Sequence, residues 1–200
     1  MLKFVDITDC NDDLLIPWLD LYETSFPPEE RVLVSSFLQL LKERAKGDYP
    51  DSYMQAVLDD DVRMVAAIRF DVVREFGATY FWYMAVDPSV RNRGIGSACF
   101  DEVVRRATEA GTRAMVLEVE MPDHSPDQEM SARRIGFYRR HGAAMLTGIE
   151  YMQSVGPHQP AIPMHIMILP IEPVTPQEAF DMVHSLFGNA IKQVGELRLE

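Results

Sequence analysis

Two glycines one residue apart, Gly94 and Gly96, follow two arginines, Arg91 and Arg93, in the run VDPSVRNRGIGSACFDEVV at residues 86–104. Such a stretch can grip an anion. Glycine lets the backbone bend sharply and approach a ligand without a Cβ in the way. The first turn of a helix presents unpaired N–H groups at the positive end of its dipole. The aromatic and β-branched run TYFWYMAV before the turn reads as a strand, and the run from Gly96 to Ala110 as a helix. Phosphate is the usual occupant of such a strand-to-helix turn. Arg91 and Arg93 add side-chain charge and Ser97 a hydroxyl. The common phosphate loops do not fit: no GxxxxGK[ST] lysine is present, and GIGSAC lacks the third glycine of a dinucleotide site and follows the fourth strand, not the first. On the turn alone, a tight connection without a ligand is the other reading.

The strand AMVLEVE, residues 114–120, carries the second candidate group. Side chains alternate along a strand, so Glu118 and Glu120 share one face. That face is either solvated or lines a cleft, because unpaired buried carboxylates are costly. Tyr22, Phe26, Glu29, Glu30, Tyr80 and Trp82 could form acidic and aromatic walls that favour an amine through charge and cation–π attraction; ordinary packing beside a solvated acidic turn is the alternative. The five histidines show no ligand spacing and no metal is expected. Cys10 and Cys99 form no CxxC pair, which points to a reducing compartment without a disulfide framework.

These residues need elements to position them. Leu2 to Thr8 reads as a short strand and Asp12 to Thr24 as a helix stopped by Pro27 and Pro28. Glu29 to Lys46 reads as a second helix closed by Gly47. Tyr53 to Leu58 and Val62 to Val72 flank an acidic hairpin turn, Asp59 to Asp61. Thr79 to Val86 is a central strand. After the glycine turn and its helix come the strand 114–120, a short helix SARRIGFYRRHG and two last strands, Ala143 to Gln153 and Pro163 to Leu169. Thr175, Pro176 and Glu178 then open a C-terminal helix as a capping box, with Phe180, Val183, Phe187, Ala190, Ile191 and Val194 along one face to residue 194. The order β-α-α-β-β-β-α-β-α-β-β plus a C-terminal helix predicts a mixed α/β sheet flanked by helices, not a doubly wound parallel one. Residues 1–170 form the domain. Residues 171–200 form a helical extension, packed on the domain or at a dimer interface.

RNRGIG matches the [Q/R]xxGx[G/A] pattern of the GNAT N-acetyltransferases, VDPSV resembles that family's lead-in, and IGFYRRHGA resembles its FYxxxGF segment. Ala143 departs from the last of these, where a large apolar residue is usual. The resemblance, which covers residue 2 to about 169, implies a mostly antiparallel GNAT sheet. It also implies acetyl-CoA as acyl donor. The pyrophosphate would rest on the amides from Arg91 through Asn92, Arg93, Gly94, Ile95 and Gly96 to Ser97. The pantetheine arm would pair with the main chain of Met84, Ala85 and Val86, where the strand splays from its neighbour. An N–H near Ala85 or Val86 would stabilise the oxyanion. LEV at 117–119 is similar to the segment of the members that acetylate a ribosomal protein's N-terminus, which makes Glu118 the candidate general base; an exposed strand carboxylate is the other reading. Tyr138 in the FY segment is the candidate acid for the departing thiolate, or else a packing residue of its helix. Arg133, Arg134, Arg139 and Arg140 could reach phosphates or form a solvated face.

The implied function is acetyl transfer from acetyl-CoA to a primary amine, small-molecule or peptide, by direct attack. The alternatives are an acyl-CoA-binding protein without catalysis and an enzyme using another acyl-CoA. A net charge of −12 argues against nucleic acid as a partner. The acidic, h-region-free start MLKFVDITDCNDD and the lack of a long apolar run argue against a leader or membrane span, so a cytoplasmic protein is expected.

Overall fold

A computed structural model describes residues 1–125, 127–154, 156 and 160–200, apart from the side chain of Glu29. The chain divides into two compact units, the first mainly Met1–Asp71 and Trp82–Arg105, the second Val72–Phe81, Arg106–Ser154 and Pro160–Glu200.

In the first unit, strand β1 (Lys3–Asp6) pairs antiparallel with β2 (Ser52–Leu58), and β2 with β3 (Met64–Val73). Helix α1 (Leu15–Ser25) buries Leu15, Trp18, Leu19 and Tyr22, the i, i+3, i+4, i+7 stripe of an amphipathic helix. Helix α2 (Val34–Arg44) buries Phe37 and Leu41. The rings of Trp18, Phe37 and Tyr83 surround Tyr22 at centroid distances of 5.6, 5.0 and 4.8 Å. Their polar atoms find backbone partners: Trp18 Nε1 donates to Gln55 O at 3.1 Å, Tyr22 to Val32 O at 3.1 Å and Tyr83 to Glu30 O at 2.8 Å. Such pairing lets aromatic bulk be buried without a desolvation penalty.

In the second unit, the first half of β4 (Ala78–Val86) pairs parallel with β5 (Ala114–Glu120), joined by α3 (Ile95–Glu109). Strand β5 pairs antiparallel with β7 (Ile162–Pro170), and β7 with β6 (Ala144–Gln153). Helix α4 (Gln128–Arg140) links β5 to β6. Helix α5 (Pro176–Phe187) packs Ala179, Met182 and Val183 on Ala114, Val116, Ile166 and Ile168. Its Thr175–Glu178 capping box is the one legible in the sequence.

The C-terminus departs from expectation. The helix does not run to residue 194. It ends at Phe187, where Gly188 takes φ +55°, and Ile191–Leu199 forms an eighth strand, β8, antiparallel to β6. The reason is visible afterwards: Gly188 and Asn189 end the helix, and residues 191–199 satisfy the open edge of β6. Ile191 is buried in that pairing while Val194 is 59% exposed, so the two never shared a helical face.

The β6–β8 ladder shifts register at Gly148, which has φ +80°. A Cβ there would stand 2.2 Å from the carbonyl oxygen of Glu196. Gly148→Ala is therefore expected to cost about 1–3 kcal/mol, roughly 2–12 °C in melting temperature at this chain length. Calorimetry checks the loss, and faster amide exchange confined to residues 191–199 would locate it.

Candidate active site

The glycine turn lies wholly in the first unit. Strand β4 ends at Val86, and its parallel ladder with β5 holds only Ala78–Phe81 against Ala114–Leu117. Met84, Ala85 and Val86 lie beyond the last pair of that ladder. Asp87 then caps a single 3-10 turn: its carboxylate accepts from Ser89 N–H at 2.8 Å and from Arg63, which also donates to the Ser89 hydroxyl at 2.8 Å. Hydrogen bonds from the Ser89 hydroxyl and amide, then Arg63, hold the Asp87 carboxyl down at about 2.

Buried Val90 and Ile95 pin the two ends of the turn, and Arg91, Asn92, Arg93 and Gly94 between them are exposed. Asn92 and Gly94 both lie in the left-handed region, at φ +64° and +78°. Gly94 is thus the glycine that the backbone demands, and nothing stands within 4 Å of where its Cβ would be. Gly96 and Ser97 already belong to the first turn of α3. The bond from Ala98 N–H to Gly94 O, 3.0 Å, is the first of the helical ladder, so the N–H groups of Ile95, Gly96 and Ser97 precede it. Arg91 folds back, its Nε donating to Val86 O at 3.1 Å, and so braces the turn against the strand end.

Glu118 and Tyr138 both lie in the second unit. Glu118 is not an exposed strand carboxylate. Its Oε1 accepts from Tyr80 at 2.8 Å and Tyr151 at 2.5 Å, and its Oε2 from the side-chain amide of Gln153. Phe187 of α5 covers both phenols, at centroid distances of 5.1 and 4.9 Å. Burial pushes the Glu118 carboxyl above the ordinary range, against the three donors, which favour its ionised form. A carboxylate of raised proton affinity held in fixed orientation suits a general base. Glu120 has a different task. It accepts from Arg134 at 3.0 Å and its carbonyl from Ser131 at 3.4 Å, which ties β5 to α4.

Tyr138 sets its ring against Phe81 and Phe137 at 6.5 and 5.3 Å. Burial pushes its phenol up to about 12, opposed by the charge of Arg134, so it carries its proton at neutral pH. Tyr80 and Phe81 are consecutive, so Glu118 and Tyr138 touch opposite faces of β4.

Other candidate residues sort differently. Arg133 pairs with Glu129 and Arg134 with Glu120, while Arg139 and Arg140 are exposed. Tyr22 and Phe26 pack in the aromatic cluster, and Tyr80 donates to Glu118. Trp82 does line a cleft. The side chain of Glu29 and residues 155 and 157–159 of the last loop lie outside the described residues. Among the described residues no group of three metal-ligating side chains is placed to hold an ion, and no helix is long and apolar enough to cross a membrane. Tyr151, Gln153 and Phe187 were missed. The only trace of the first two is their i, i+2 spacing in IEYMQ, which puts both on one face without saying what that face meets.

The mixed sheet, its short parallel pairing and the glycine turn define an acyltransferase architecture. The chain belongs to the acetyltransferase (GNAT) family, whose model matches residues 15–143. Comparison with curated proteins finds no match. Among solved structures, a GNAT-family acetyltransferase candidate from Bacteroides thetaiotaomicron is 24% identical, with a TM-score of 0.72 over 93% of this chain and 98% of that one. The ribosomal-protein-S18-alanine N-acetyltransferase of Escherichia coli is 19% identical, with a TM-score of 0.58 over 88% and 97%. A phosphinothricin acetyltransferase from Sinorhizobium meliloti, solved with acetyl-CoA, is 17% identical, with a TM-score of 0.59 over 86% and 89%.

The hydrogen bonds at Glu118 make a pH prediction. Tyr151→Phe removes a donor that favours the ionised carboxylate, so Glu118 should ionise at higher pH than in the native protein. A carbon-13 NMR titration of the glutamate carboxyls reads this directly. An unmoved midpoint would show that the phenol does not govern the carboxyl.

Proposed function

We propose that this protein transfers an acetyl group from acetyl-CoA to a primary amine by direct attack. The observation that carries the reading is the turn at residues 91–97. Two left-handed residues and the start of α3 follow a strand whose last residues lie beyond their parallel ladder. The amides of this turn would hold the pyrophosphate, and the main chain of Met84 to Val86 the pantetheine arm. The CoA-bound Sinorhizobium neighbour supports that choice of donor.

Each group then has one role. Glu118 accepts a proton from the attacking amine, directly or through a water. As the N–C bond forms, the thioester oxygen gathers charge, and an N–H near Ala85 or Val86 stabilises it. The C–S bond breaks, and Tyr138 protonates the leaving thiolate. No enzyme nucleophile is needed. Cys99 is unsuited to be one, since burial pushes its thiol up to about 12. A second reading rests on a specific observation: both oxygens of Glu118 already accept hydrogen bonds. If they stay so engaged, the fold binds acyl-CoA without turning it over.

Acetyl-CoA should raise the melting temperature of the native protein, with about 2.7 kcal/mol gained at a hundredfold excess over Kd. Gly94→Glu with Gly96→Glu should abolish the shift, measured against that variant's own melting point. No shift in the native protein would remove acetyl-CoA as ligand. Tyr138→Phe should keep the shift and lose on the order of 10²-fold in kcat, followed by thiol release. Retained turnover would take the acid role from Tyr138.

A further inference from the structure

The first unit contains a cleft of about 500 Å³, within the usual range for a small-molecule site. Phe37, Leu40 and Tyr49 form one side, and Trp82 of β4 another. The charged groups in its walls are Arg69 and Glu43. Tyr49 is held at φ +50°, a conformation rare outside glycine and asparagine, and the residue is 57% exposed.

Arg69 looks at first like an anion receptor. Its charge is already committed. Nη1 and Nη2 donate to the two carboxylate oxygens of Asp71 at 2.5 and 3.0 Å, and Nη1 also donates to Phe70 O at 2.7 Å. The Arg69 side chain is only 7% exposed. Trp82 closes the same wall: its Nε1 donates to Asp71 at 2.6 Å, and the Arg69 guanidinium stands 5.5 Å from its ring centroid. The two-pronged pairing is the strong form of the interaction and occupies both terminal nitrogens. The wall is therefore electrically neutral and aromatic.

The remaining charge is Glu43, positioned one turn along α2 from Gln39, which donates to it at 2.5 Å. The cleft thus offers aromatic and aliphatic walls and one net negative charge. A cation is drawn to both. An anion meets an arginine whose charge is already matched by Asp71, and a repelling glutamate. Position adds to this. Trp82 lies two residues before Met84 on one strand, about 7 Å at the rise of a β-strand.

We propose that this cleft takes the acceptor and selects a primary amine on an apolar, aromatic-sized body that carries no carboxylate. The inference rests on the acetyltransferase reading for its chemistry, but the binding preference stands apart from turnover.

The test compares tryptamine with tryptophan, which share a ring system and differ by the carboxylate. With the full chain and acetyl-CoA, thiol release should give at least tenfold higher kcat/KM for tryptamine. Glu43→Gln should raise the KM for tryptamine severalfold with little change in kcat. Asp71→Asn, which frees the Arg69 fork, should move the preference toward tryptophan. Equal or better use of tryptophan by the native protein would overturn the proposal and leave the acetyltransferase reading intact. The second readout is thermal stabilisation by each compound in the presence of CoA, which needs no catalysis. If neither compound releases thiol but tryptamine alone stabilises, the transferase reading fails and the selective cleft stands. If tryptamine does not stabilise, or tryptophan does so equally, the cleft proposal fails.

Discussion

Four consecutive aromatic residues on β4 must each satisfy a different neighbour. Tyr80 donates to the buried Glu118, Phe81 meets Tyr138, Trp82 donates to Asp71, and Tyr83 joins the ring cluster around Tyr22. The strand can do this because its ladder with β5 stops after four pairs, just where Phe81 gives way to Trp82. Tyr80 and Phe81 carry the contacts of β4 to Glu118 and Tyr138, and the glycine turn follows the end of the strand. A change of one residue in the register of this strand would exchange the faces of all four rings.

Burial sets the charge logic in both units. Glu118 is kept in a low-dielectric site by two phenols, an amide and the ring of Phe187, and burial outweighs its donors. That arrangement works against stability above the ordinary carboxylate range, since the folded chain there holds a proton more tightly than the unfolded one. Strain and unfavourable burial of this kind gather at functional sites. The Arg69–Asp71 pair shows the opposite use of burial, a cation neutralised where it stands. The exposed pairs, such as Arg133 with Glu129, contribute little to stability by comparison.

Much of this was legible in the sequence, and the rest has a physical reason for its silence. Short-range signals carried well: the strand 114–120, the helix end just before Gly142, the Thr175 capping box and the sharp bend at Gly94 are written within a few residues of where they act, whereas the helix expected over Glu29–Lys46 spans only Val34–Arg44. Alternation placed Glu118 on one face, yet it cannot say what covers a face. Tyr151 is 33 residues away in sequence and meets Glu118 across an intervening strand. The strand β8 was hidden because its residues also satisfy a helical period, and tertiary pairing with β6 decided between them. Arg69 and Asp71 read as an ordinary i, i+2 pair on a strand. Only the packing of Trp82 over both shows that they form a neutral wall.

Strand β8 ends its sheet order and carries Lys192, Glu196 and Arg198 on exposed positions, and its ladder with β6 is irregular at Gly148. An outer strand of this composition is a poor template for another chain, because a second strand would have to bury charges and match an irregular ladder. The strand beneath is a better one: β6 carries the apolar run Ala144–Met145–Leu146 at an edge that β8 now occupies. The last nine-residue strand therefore acts as a built-in guard against self-association. Proteolytic loss of it would uncover that apolar edge and leave the glycine turn at residues 91–97 in place.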